Sequence, residues 1–240
     1  MKMEEKKIAL KHAGLAFFLS IVASTVAIAG MVVVLLVMDK ATYEPLLEDM
    51  DVFFLEPMGL LTAIISSAVG GLAALVYIWS KIGWSGLRFT ALSKHEIGLT
   101  LVWMLPILGF GQLVSWVMEM WSIPPEPQVM MQAFVNSSGT PIGIAAFLFI
   151  VLGAPFFEEV LFRGFIQPAL VQRWGMWPGI VMASIVFGGM HGTDAWAVLP
   201  TFVIGIGVGW LRERTGGLTA PILLHCVNNL VAVIVMMLFY

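Results

Sequence analysis

The stretch PIGIAAFLFIVLGAPFFEEVLFR, residues 141–163, decides the fold. It carries no charge from Pro141 to Phe157, then meets Glu158, Glu159 and Arg163 in close succession. A membrane-spanning helix needs about 20 mostly apolar residues, and the helical pattern here runs on to about Gln172. The same apolar signature recurs at residues 13–38, 58–80, 97–117, 176–190, 195–211 and 218–239. The expected fold is all-α: a polytopic transmembrane helical bundle of about seven spans, with any active site inside the bundle. Composition agrees. The chain is 60% hydrophobic and 11% charged, with a mean hydropathy of +0.96. A soluble domain is about 45–50% apolar and about 25% charged. Ordinary soluble, disordered and fibrous classes are therefore excluded.

A net charge of −3 gives no electrostatic basis for binding nucleic acid. The single cysteine, Cys226, excludes an intrachain disulfide and any cysteine cluster for zinc or iron–sulfur. A Lys-bearing head (Lys2, Lys6, Lys7, Lys11) precedes the first span. That span is longer than a signal-peptide core and ends at Met38-Asp39-Lys40 without a small-residue cleavage site, so it reads as a retained helix. With seven spans, all the Lys and Arg except Lys40 fall on one side. The positive-inside rule makes that side the cytoplasm. The expected topology is N-terminus in and C-terminus out, in the plasma membrane if the chain is prokaryotic. Residues 1–140 form three N-terminal transmembrane helices with their loops. Residues 141–240 form a four-helix core. Between them, Pro124, Pro125 and Pro127 break a connector whose residues 129–134 read as interfacial.

Ionisable groups inside a bilayer are costly and mark function by default. They fall in three clusters, all within the core. In the first, Glu159 and Arg163 are i and i+4 and share a helix face, where they can pair. Glu158 is turned about 100° away, towards a different neighbour and without the arginine. It is the candidate for proton transfer. In the second, His191 ends an apolar helix after Phe187, Gly188 and Gly189, with Gly192, Thr193 and Asp194 following. In the third, His225 and Asn229 share one face of the last helix. Cys226 points about 100° from His225 and reads as an inert thiol. Asn228 reads as a helix–helix hydrogen-bonding group. Each of these groups would be expensive facing lipid, so they are expected to face one another. The kit suits attack by an activated water, with an imidazole or amide stabilising the oxyanion.

The order Glu-Glu-x-x-x-Arg, Phe-x-x-x-His, His-x-x-x-Asn, each on an apolar helix, resembles the CPBP intramembrane proteases. That family groups type II CAAX prenyl endopeptidases with bacteriocin-processing and bacteriocin-immunity proteins. The similarity covers residues 141–239, including the approach Arg214-Thr215-Gly216-Gly217-Leu218-Thr219-Ala220-Pro221 to the last motif. The resemblance implies that Glu158 activates the hydrolytic water with help from His191. It implies that His225 and Asn229 stabilise the oxyanion, and that Glu159 and Arg163 support the site. It also implies a membrane-associated peptide or protein as substrate, of which a prenylated CAAX protein is one example. A metal-free mechanism is favoured over zinc. Were zinc bound, Glu158, His191 and His225 would be its ligands, although the chain has no His-Glu-x-x-His helix.

Two other functions compete. A non-proteolytic membrane scaffold or bacteriocin-immunity protein would bind a peptide or partner in the same polar pocket. A transporter would use the Glu and His as a proton relay, but the chain shows neither an inverted repeat nor paired broken helices. One geometric tension accompanies the protease reading. His191 lies about 22 Å along its helix from Met176, whereas His225 lies only about 10 Å along its own from Leu218. For the two to meet, the helix of His191 must be tilted or sunken. The site is expected to open towards the cytoplasm.

Overall fold

The computed structural model describes residues 8–123, 129–192 and 195–239. Lys2, Lys6, Lys7, Pro124, Pro125, Pro127, Thr193 and Asp194 fall outside them. The described residues are all-α, without a strand. In chain order the helices are α1 (Leu10–Met38), α2 (Lys40–Leu46), α3 (Met50–Leu55), α4 (Pro57–Leu87), α5 (Lys94–Val102) and α6 (Met104–Met120). After these come α7 (Val129–Asn136), α8 (Pro141–Leu148), α9 (Ala154–Leu161), α10 (Gln167–Trp174), α11 (Met176–Gly189), α12 (Ala195–Thr215) and α13 (Thr219–Phe239). Helices α8, α9 and α10 form one rod, Pro141–Trp174, joined through π-helical turns at Phe149–Gly153 and Phe162–Ile166. Helices α5 and α6 are also nearly continuous. They are interrupted at Trp103, where Pro106 offers no N–H to the carbonyl of Val102.

Five helical stretches among the described residues are long and apolar enough to cross a membrane: Leu10–Met38, Pro57–Leu87, Lys94–Met120, Pro141–Trp174 and Thr219–Leu238. One of the seven expected spans is shorter than that measure asks. Helix α11 has only 14 residues. Helix α12 has 21 residues and is uncharged from Ala195 to Leu211. The outer surface confirms the solvent. Val26, Val37, Leu105 and Leu238 are all more than 60% exposed, which only lipid makes cheap. The chain is an integral membrane protein.

Small residues set the helix spacing, as expected where packing rather than water drives association. Alanines of α1 (Ala13, Ala16) and α4 (Ala74) lie in one core with Val160, Phe165 and Leu218. At Gly70 of α4, a Cβ would collide with the Ser24 hydroxyl and the Ser20 carbonyl of α1. At Gly71, it would collide with the Phe157 ring next to Glu158. The two glycines let α4 touch both α1 and α9. Gly70→Val is expected to cost about 1–3 kcal/mol by overpacking. Thermal unfolding in detergent reads it, and an unchanged midpoint would refute this account of the crossing.

Residues 129–134 were expected at the interface, but α7 is partly internal. Ala133 and Phe134 are buried against Leu60, Ile64 and Ala146. The approach to α13 also acquires a reason. Gly216 closes α12 with a φ of +70° and donates its N–H to the Arg212 carbonyl. Gly217 leaves room for the Arg88 carbonyl and Thr90. The N–H of Leu218 then donates to that same Arg88 carbonyl at 3.0 Å. This backbone clasp between the end of α4 and the start of α13 fixes where α13 begins, and hence the height of His225.

Candidate active site

Glu158 and Glu159 sit on α9, the eight-residue segment between the two π turns. Glu159 is fully buried and accepts a hydrogen bond from Arg163 Nη1 at 3.1 Å, so the i,i+4 pair forms. Arg163 is also fully buried. Its Nη2 donates to the Gly205 carbonyl of α12 at 3.2 Å. Its guanidinium lies 4.4 Å above the ring of Phe187, a favourable stacking for a desolvated cation.

His225 enters from α13. Its Nδ1 lies 2.8 Å from Glu159 Oε1, and its Nε2 lies 3.8 Å from Glu158 Oε2. Here the helix-wheel expectation needs correcting. Glu158 does not face a separate neighbour; both glutamates meet one imidazole, at opposite nitrogens. A rigid ring with two nitrogens bridges two helix faces that a single polar atom could not. The division between the acids nevertheless persists. Glu159 is sealed in. The Glu158 side chain is one-third exposed, while the Oε2 of each glutamate is buried without a hydrogen-bond partner.

Phe187 of the second motif is the hub of the site. Its ring meets His225 edge to face at 5.7 Å and His191 at 5.2 Å. The two histidines thus flank one ring, which answers the expected mismatch in depth. Trp174 and Trp177 are exposed at the entry to α11, as interfacial aromatics are. His191 Nδ1 lies 3.0 Å from the Phe187 carbonyl. A carbonyl only accepts, so Nδ1 carries the hydrogen and the neutral ring keeps its lone pair on Nε2.

Asn229 Nδ2 donates to the Ile150 carbonyl at 2.9 Å, and its Oδ1 lies 3.3 Å from Asn228 Nδ2. The Ile150 bond has a cause in the sequence. The Ala154 N–H reaches back five residues to Phe149, and Pro155 has no N–H to give. The Ile150 carbonyl is left without a helical donor, and buried backbone acceptors seek partners. The second π turn repeats this chemistry. The Gln167 N–H goes to Phe162, Pro168 has none, and the Arg163 carbonyl accepts instead from Arg212 Nε at 3.0 Å.

Two of these residues, Gln167 and Arg212, escaped the sequence reading. Gln167 is fully buried. Its Nε2 donates at 2.9 Å to both the Gly209 carbonyl and Glu213 Oε1. Its signal was available: it is the next i+4 step after Glu159 and Arg163. Gly209 admits the Gln167 side chain, whereas Gly205 lets α12 close on Ser184 of α11. A Cβ at Gly209 would press on the Gln167 amide oxygen. Cys226 is half-buried and stands apart from these bonds.

Among the described residues no three His, Cys, Asp or Glu side chains form a group able to hold a metal, so Glu158, His191 and His225 are not such a trio.

The chain is 34% identical over 108 residues to an uncharacterized 24.3 kDa protein of Escherichia coli, an alignment covering 43% of this chain and 49% of that protein. The chain thus spans about half the length of the curated relative it matches. No solved structure matches it. Residues 140–231, which hold every residue of the site just described, match the family model of the Rce1-like type II CAAX prenyl endopeptidases.

Proposed function

We propose that the protein is an intramembrane endopeptidase. It hydrolyses a peptide bond of a membrane-associated peptide or protein, using water activated by Glu158. The observation that carries this reading is the buried set Arg163–Glu159–His225, which holds an imidazole against a half-open second carboxylate. The match to a protease family supports it.

In this mechanism the Glu158 carboxylate takes a proton from water as the oxygen attacks the scissile carbonyl carbon. The same proton then passes to the leaving amine. His191, with Nδ1–H committed to Phe187, accepts the water's other hydrogen at Nε2 and so orients it. His225 donates its Nδ1–H to Glu159 and presents Nε2–H to the oxyanion. Both ring nitrogens donate only in the imidazolium. In that form the charges of Glu158, Glu159, Arg163 and His225 sum to zero, as a low-dielectric interior requires. Asn229 has a second amide N–H beyond the one on Ile150, and this N–H is its contribution to the oxyanion. The distribution of Lys and Arg supports a site open to the cytoplasm.

The test is cleavage of a panel of membrane-anchored peptides by purified protein in ¹⁸O-labelled water. Water attack places one label in the new carboxylate in a single turnover. A folded protein that cuts nothing in the panel, or a product without label, would refute the reading.

A further inference from the structure

The π turn Phe162–Ile166 is the joint between Glu158-Glu159 and the rest of the rod. A π turn inserts about one residue into the helix, so its loss would rotate α9 against α10 by about 100°. The joint exists where Pro168 deprives the Arg163 carbonyl of a helical donor, and the donor supplied is Arg212 Nε. Arg212 is only 4% exposed, and it reaches this carbonyl from a different helix. The same residue whose carbonyl it holds, Arg163, aims its guanidinium at Glu159, and Glu159 in turn holds His225 Nδ1.

We propose that Arg212 is a positioning residue of the active site. It latches the proline-orphaned carbonyl of Arg163 and so fixes the rotation of α9 that presents Glu158 and Glu159 to His225. The role rests on the protease reading above. It follows from the bond between Arg212 and a main-chain atom, not from contact with the substrate. Ile150, Pro155 and Asn229 build the same latch thirteen residues earlier in the rod, which argues that the device is general to α9 and not an accident of one turn.

A double-substitution cycle tests it. Pro168→Ala returns an N–H to the helix next to the orphaned carbonyl, which makes the Arg212 bond redundant. Arg212→Leu in the wild-type chain is expected to lower kcat by about 10²-fold, the scale of a 1 Å misplacement, with KM little changed. In the Pro168→Ala background the same substitution should lower kcat by no more than about threefold, since the two changes share one partner and do not add. The unfolding midpoint in detergent should show the same coupling. Because Arg212 has other interactions as well, the coupling between the changes is the measure, not the single loss. Equal losses in both backgrounds, or an Arg212→Leu chain that fails to fold in both, would overturn the proposal. If wild type cuts no peptide, the protease reading and the positioning role fall together. The unfolding cycle then still decides whether the latch exists.

Discussion

Glu158→Gln is expected to lower peptide cleavage by about 10²–10⁴-fold, the usual contribution of a general base, while leaving the protein folded. The substitution preserves size and polarity and removes the carboxylate's charge together with its ability to take a proton. Its structural cost is small because Glu158 Oε2 has no hydrogen-bond partner and the side chain is one-third exposed. KM should change little, since substrate contacts elsewhere in the site remain. Glu159→Gln makes the informative contrast. It would weaken two buried bonds, to Arg163 and to His225, so its loss of activity should come with a lower unfolding midpoint. Cleavage retained above about a tenth of wild type in a folded Glu158→Gln protein would move the base elsewhere.

Arg163→Leu carries the largest expected loss of stability, about 3–5 kcal/mol. Breaking one side of a buried ion pair leaves the other charge stranded, and that penalty exceeds the worth of the pair itself. Here the stranded groups are Glu159, fully buried, and the carbonyl of Gly205. The stacking on Phe187 goes too. The double change Glu159→Leu with Arg163→Leu should recover part of the loss, because it removes both charges together. Thermal unfolding of the single and double variants in one detergent measures both quantities. A double variant less stable than Arg163→Leu would show that the pair does not act as a unit.

Much of this was legible from local spacing. The apolar runs gave the helices, and i,i+4 arithmetic gave the Glu159–Arg163 pair, because both partners lie within one turn of one helix. Legibility ended where partners came from other helices. Nothing in the spacing within motifs says that His225 Nδ1 chooses Glu159, or that Gly205 and Gly209 offer carbonyls to Arg163 and Gln167. The wheel also assumes 100° per residue, and two π turns break that assumption on either side of the glutamates. Their cause was nonetheless in view: Pro155 and Pro168 each delete one N–H in an apolar helix. What the sequence alone could not tell was which side chains, Asn229 and Arg212, would supply the missing donors. The interior position of α7 was hidden for a similar reason, since its burial depends on α4 and α8 rather than on its own pattern.

The brevity of α11 has a consequence for the surrounding lipid. Its 14 residues rise about 21 Å, against about 30 Å of hydrocarbon in a typical bilayer. Yet Met182 and Ile185 on this helix are exposed, so acyl chains must cover them. Leaflets crossed by α11 alone would have to compress to meet it, at a cost of fractions of a kcal/mol per Å of mismatch. Longer acyl chains would load α11 elastically, and shorter ones would relieve it.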